Sequence, residues 1–128
     1  METNQVLIPE LLLEAADTLA LNLSQSEPFI RYHQANQALN ADAAAMLLLK
    51  QLSQVQTEVR KHQREGQVGI KEIQHLRALQ TQVQGHAVIQ EFFTAQQAAV
   101  QYLREINQEI SQVIGVDFAS LAKRSCCC

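Results

Sequence analysis

The sequence has no tryptophan, two prolines, four glycines and three cysteines. Each scarcity excludes something. Pro9 and Pro28 both lie near the start, so no ring interrupts a helix in the hundred residues after Pro28. The cysteines are confined to positions 126–128, which leaves no disulfide framework inside the chain. With aromatics at 5%, a core must be built from Leu, Ile, Val and Ala. No segment approaches the ~20 continuous apolar residues of a membrane span. The N-terminus lacks the basic start and apolar stretch of a signal peptide, so a cytoplasmic location is expected. No H-E-x-x-H motif, Gly-rich phosphate loop, nucleophile elbow or paired-carboxylate motif on an apolar face occurs, and catalysis is not expected. His33, His62, His75 and His86 are read as surface or half-buried side chains.

What remains is rich in Ala, Leu and Gln, with 47% of its 128 residues apolar. That length suits one domain, and that composition favours an all-α fold. The most organised stretch is His86 to Ile114. Its apolar residues Ile89, Phe92, Ala99, Leu103, Ile106, Ile110 and Val113 recur at steps of three and four, with Gln96 in one slot. They fall on one stripe of a long helix, which needs antiparallel partners to cover it.

Upstream, Pro9 suits the first turn of a helix to about Leu23, with Leu12, Ala16, Leu19 and Leu23 on one face. Ser24-Gln25-Ser26 breaks it, and Ser26 or Glu27 can cap a second helix opened by Pro28, with Glu27 and Arg31 paired four residues apart. Asn40 is read as the N-cap of a third helix, with Asp42 near its positive end. Gly66 is placed as that helix's C-cap, and Gly66 and Gly69 bracket a turn into a fourth. The hairpin of helices three and four is expected to lie alongside the long helix. Short connections give an antiparallel bundle of about five helices with a long C-terminal helix. The domain is placed at residues 1–118, followed by a flexible cysteine-terminated tail at 119–128.

Charge is uneven. Residues 1–49 carry six acids against Arg31 alone, whereas residues 50–77 carry six bases against three acids, within a net charge of −3. Arg60, Lys61 and Arg64 sit at the polar end of helix three. They read either as a solvated face or as a surface for an acidic partner or RNA, and no aromatic residue is interleaved for base stacking. Phe29 and Tyr32 share a face of helix two. Adjacent Phe92 and Phe93 point about 100° apart on a helix. Phe92 fits the stripe, whereas Phe93 either widens the core or joins a partner interface. Cys126, Cys127 and Cys128 are open to three readings: a shared metal or cluster site, with Cys126 and Cys128 pointing the same way; an oxidisable tail without metal; or lipidation, for which the C-a-a-X form is absent.

The order of these signals resembles the YlbF/YmcA family of small helical bacterial regulators. The resemblance is carried by Ser26-Glu27-Pro28-Phe29-Ile30-Arg31-Tyr32, by Asn40-Ala41-Asp42-Ala43-Ala44-Ala45-Met46-Leu47, and by the segment from Gly85-His86 through Glu91-Phe92-Phe93-Thr94-Ala95. It covers about Ile8 to Phe118. The family often has Asn-Pro where Gly85-His86 stands here. The resemblance implies a non-enzymatic adaptor that forms homo-oligomers and joins related YlbF/YmcA-type subunits and a YaaT-like protein. Such an assembly supports RNase Y in RNA maturation and influences cell-fate decisions. It also implies an iron–sulfur cluster, held in the complex by Cys126, Cys127 and Cys128 together with a partner chain.

Overall fold

The computed structural model describes residues 7–122. They form six helices and, among the described residues, no strand: α1 (Glu10–Ser24), α2 (Glu27–Ala41), α3 (Ala43–Arg64), α4 (Ile70–Gln84), α5 (Ala87–Ile114) and α6 (Phe118–Ala122). The all-α expectation holds, with the long helix where the stripe placed it. α6 adds a short sixth helix and runs past residue 118.

Local chemistry explains the boundaries. Pro9 precedes α1 and its carbonyl accepts the N–H groups of Leu12 and Leu13 at 3.0 and 3.1 Å. Pro28 occupies the first turn of α2. Ser26 stands at the expected cap position, but its hydroxyl donates back to the Leu23 carbonyl and ties off α1 instead. Asn40 is not the cap of α3, because it is still inside α2. The cap is Asp42, whose extended backbone (φ −97°, ψ 97°) separates the helices and whose carboxylate accepts the Ala45 N–H at 3.0 Å. A carboxylate there fills an otherwise unpaired donor and meets the positive end of the helix dipole.

At the other end of α3, Gly66 adopts φ +69°, which a side chain would disfavour. The Gly66 N–H reaches the Gln63 carbonyl at 3.2 Å and the Gln67 N–H reaches that of His62 at 2.9 Å. These two bonds make a Schellman ending, so the glycine signal in the sequence had a specific conformational cause.

The packing differs from the expected arrangement. α2 lies antiparallel on the first half of α5, and α3 packs against α4 as a separate hairpin. The hairpin meets α5 mainly where α4 ends and α5 begins, so it does not run alongside the long helix. The reason is the junction. The α2–α3 break at Asp42 lies opposite the α4–α5 break at Gly85-His86, so four helix ends converge. There Leu39, Ala45, Val83 and Ile89 form the buried cluster, backed by Leu48, Leu49, Leu52, Val88 and Phe92. Polar groups close the same junction. Gln90 Nε2 donates to the Val83 carbonyl at 3.1 Å, and His86 Nε2 lies 3.8 Å from Asp42 Oδ2.

The stripe on α5 is also corrected in part. Ile89, Ala95 and Ala99 are buried, but Gln96, Leu103 and Val113 are exposed. A straight helix at 3.6 residues per turn drifts away from a seven-residue repeat, so the covered face passes through Ala95, Ala99 and Tyr102. Beyond Tyr102, α2 no longer covers α5. α1 has no buried residue at all.

Ile89 is the largest fully buried side chain among the described residues. Ile89→Ala should cost about 2–4 kcal/mol, and Asp42→Ala about 1 kcal/mol through the lost cap. Urea unfolding followed by circular dichroism measures both, and Ile89→Ala should show the larger fall in midpoint.

Candidate protein-interaction surface

The seam between α2 and α5 brings three of the four singled-out aromatics together. Tyr32 and Phe92 have ring centroids 5.8 Å apart, and Phe93 stands edge-on to Phe92, also at 5.8 Å. Phe29, Tyr32 and Phe92 are half-buried, whereas Phe93 is 40% exposed. Of its two readings, the core one fails: Phe93 lies on the outer flank of the seam. Phe29 instead meets Tyr102 edge-on at 6.4 Å. Tyr102 was not singled out from the sequence, although its spacing from Ala95, Ala99 and Ile106 carried the signal.

Electrostatics reinforce the seam from outside. Arg31 forks onto Glu91, with Nε to Oε1 at 2.7 Å and Nη2 to Oε2 at 3.1 Å. The expected Glu27–Arg31 pair within α2 yields to this inter-helix fork, because a carboxylate facing the guanidinium plane accepts two donors at once. Hydrogen bonding to Arg31 holds the Glu91 carboxyl below its ordinary value, and the same bond raises Arg31. Both groups face solvent, so the pair orients α2 on α5 more than it stabilises the fold.

At the opposite end of the molecule, Arg60, Lys61 and Arg64 line an open depression with Thr57 and Glu65 on the last turns of α3. All three cations are exposed, and no ion-pair partner is found for them among the described residues. His62, half-buried between them in sequence, points the other way and meets Glu72 of α4 at 2.6 Å, joining the two helices near their tip. The structure therefore separates the basic group from the aromatic seam, with the junction between them.

A third surface, at the α1 end, is apolar. Leu19 and Leu23 of α1 face Leu103, Ile106 and Ile110 of α5 across an open cleft of about 230 Å³, with Phe118 of α6 at its edge. α6 is fastened to α5 by polar bonds: Asn107 Oδ1 accepts the Ala119 N–H and Ser111 Oγ the Phe118 N–H, both at 3.0 Å. Among the described residues no group of three or more His, Cys, Asp or Glu is placed to hold a metal ion. Cys126, Cys127 and Cys128 lie outside the described residues. No described helix is long and apolar enough to cross a membrane.

Comparison with known proteins agrees on family and fold. Residues 12–114 match the family model described as control of competence regulator ComK, YlbF/YmcA. The UPF0342 proteins of two Lactobacillus delbrueckii subsp. bulgaricus strains are each 27% identical over 111 residues, spanning 86% of this chain and 95% of theirs. Among solved structures, Bacillus subtilis RicA in complex with RicF superposes with a TM-score of 0.73 at 19% identity, over 84% of this chain and 96% of that one.

Asp117, just before α6, is held below the usual carboxylate range, first by the Ser120 backbone N–H and then by Asn107. Its charged form is favoured in the folded state. The contribution is therefore complete above the ordinary carboxylate value of ~3.9 and is lost as pH falls through the lower folded value. The protection factor of the Ser120 amide, its exchange rate corrected for the intrinsic pH dependence, should hold from neutral pH down to that range and fall on further acidification. Asp117→Asn should flatten the dependence.

Proposed function

This chain belongs to the YlbF/YmcA family, and we propose that it is a non-enzymatic helical adaptor that self-associates and joins a larger regulatory complex. One observation carries this reading. Among the described residues the buried core consists of nine apolar residues, five of them Leu, Ile or Val and four of them alanine, while large side chains such as Leu11, Leu12, Val113 and Leu121 face water. A chain that buries so little and exposes so much apolar surface is suited to assembly. Bacillus subtilis RicA, which shares this fold and is solved in complex with RicF, is a precedent for such a protein acting within a complex.

The partners proposed are related YlbF/YmcA-type subunits and a YaaT-like protein, with RNase Y-dependent RNA processing as the output and the cytoplasm as the location. A cluster on Cys126, Cys127 and Cys128 belongs to the same proposal and rests on the sequence alone. The chain and its related subunits from the same cell should co-elute as one species with a mass above that of any single chain. Anaerobic preparation with iron analysis then reads the tail directly, and an iron-free, colourless complex removes the cluster from the proposal. Recovery of every subunit as a monomer at high micromolar concentration removes the adaptor.

A second reading is supported by the three exposed cations at the hairpin tip: direct RNA contact through Arg60, Lys61 and Arg64. Reversing all three charges should abolish RNA retention in a low-salt shift assay, because phosphate contacts dominate such binding. Unchanged retention would assign the tip to solvent.

A further inference from the structure

We propose that α1 and the far end of α5 with α6 are two halves of one self-association face, each α1 packing on the α5–α6 end of a second copy. The proposal rests on the adaptor reading and names the surface through which that adaptor pairs.

The first observation is that α1 is a helix without a core. Nine of its 15 residues are Leu or Ala, yet none is buried. Leu11 is 79% exposed and Leu12 59%. On a helical wheel the apolar side runs from Leu11 through Leu12 and Leu23 to Leu13, interrupted by Asn22, while Glu10, Glu14 and Asp17 gather on the opposite side around Leu21. That apolar arc spans about 200°, wider than the ~100° stripe that packs one helix onto a single surface. An isolated helix of this length is marginal in water, so its formation implies packing against another surface.

The second observation is a matching bare face at the same end of the chain. Past Tyr102, α5 loses the cover of α2, and Val113, Ile114, Phe118 and Leu121 are exposed at 86%, 50%, 52% and 71%. An apolar cleft lined by Glu109, Ile110, Val113 and Ile114 lies on this face. α1 is about 22 Å long and the uncovered part of α5 about 18 Å, so one fits along the other. Its own α1 reaches only one edge of that surface, where Leu19 and Leu23 face Leu103, Ile106 and Ile110 across the open cleft, and Val113 and Ile114 stay bare.

Area selects the occupant. The exposed apolar side chains of α1 and the α5–α6 end amount to an area on the order of 1,000 Å² per chain, above the ~800 Å² each partner contributes to a stable interface. Because both halves of the face are on one polypeptide, a two-fold pairing uses each half twice and covers both.

The test uses the full chain. Its sedimentation mass should be that of a dimer. Leu12→Glu/Leu13→Glu on α1 and, separately, Val113→Glu on α5 should each weaken dimerisation by about 100-fold or more, as charges placed in a desolvated apolar contact do. Far-UV circular dichroism should not change, since all three positions face water in the single chain. In a mixture of isotope-labelled and unlabelled copies, a photoreactive residue at position 13 should cross-link to peptides within 103–122 of the other copy. Dimers that persist in both variants, or cross-links confined to one chain, overturn the proposal. So does a chain that is monomeric alone and pairs only with a related subunit. If complexes with related subunits form but survive both charge variants, the adaptor stands and this face does not. If no complex forms in any mixture, the adaptor reading itself falls.

Discussion

Two helix pairs are held together by one junction, and the geometry of everything else follows from it. Asp42 interrupts the α2–α3 arm for a single residue and caps the helix it starts. Opposite it, Gly85 and His86 interrupt the α4–α5 arm, with Gln90 reaching back to the Val83 carbonyl. Ile89, fully buried, fills the space between these breaks. Both arms must turn at the same level for Leu39, Ala45, Val83 and Ile89 to meet. The aromatic seam therefore lies on one side of the junction and the basic hairpin tip on the other.

This arrangement spreads the chain out. Each side of the junction is only two helices deep, α2 on α5 and α3 on α4, and a two-helix layer leaves much of every helix in water. Along the seam the outward flank is partly supplied with polar cover by the Arg31–Glu91 fork. At the α1 end no comparable ion pair is found among the described residues, and leucine, isoleucine, valine and phenylalanine side chains face water there. For such a molecule, any partner that binds the folded form also stabilises it, so assembly and folding are linked by mass action. The same openness leaves no polar or charged residue buried among the described residues.

Much of this was legible residue by residue, and the failures have local reasons. Pro9, Pro28 and Gly66 act through their own backbone, so their roles could be read without knowing what surrounds them. Asn40 and Asp42 are both good caps, and only the course of the chain decides which one the helix uses. Arg31 had a plausible partner in its own helix, but Glu91, sixty residues away, offered a better fork. Tyr102 was hidden because Leu103, its neighbour, fitted a seven-residue repeat that a straight helix does not keep. Phe93 stood between two readings until the position of α2 placed it on the outer flank.

The sequence by itself determined that the chain is helical, where each helix begins and ends to within a few residues, and which family it resembles. These properties are set by caps, breakers and periodicity, all of which act within a few residues of one another. Tertiary structure alone decided that α2, and not the α3–α4 hairpin, covers α5, and that the covering stops at Tyr102. That choice depends on how two distant helix breaks align across the junction, which no local pattern encodes. The apolar stripe of α5 is thus half core and half open surface.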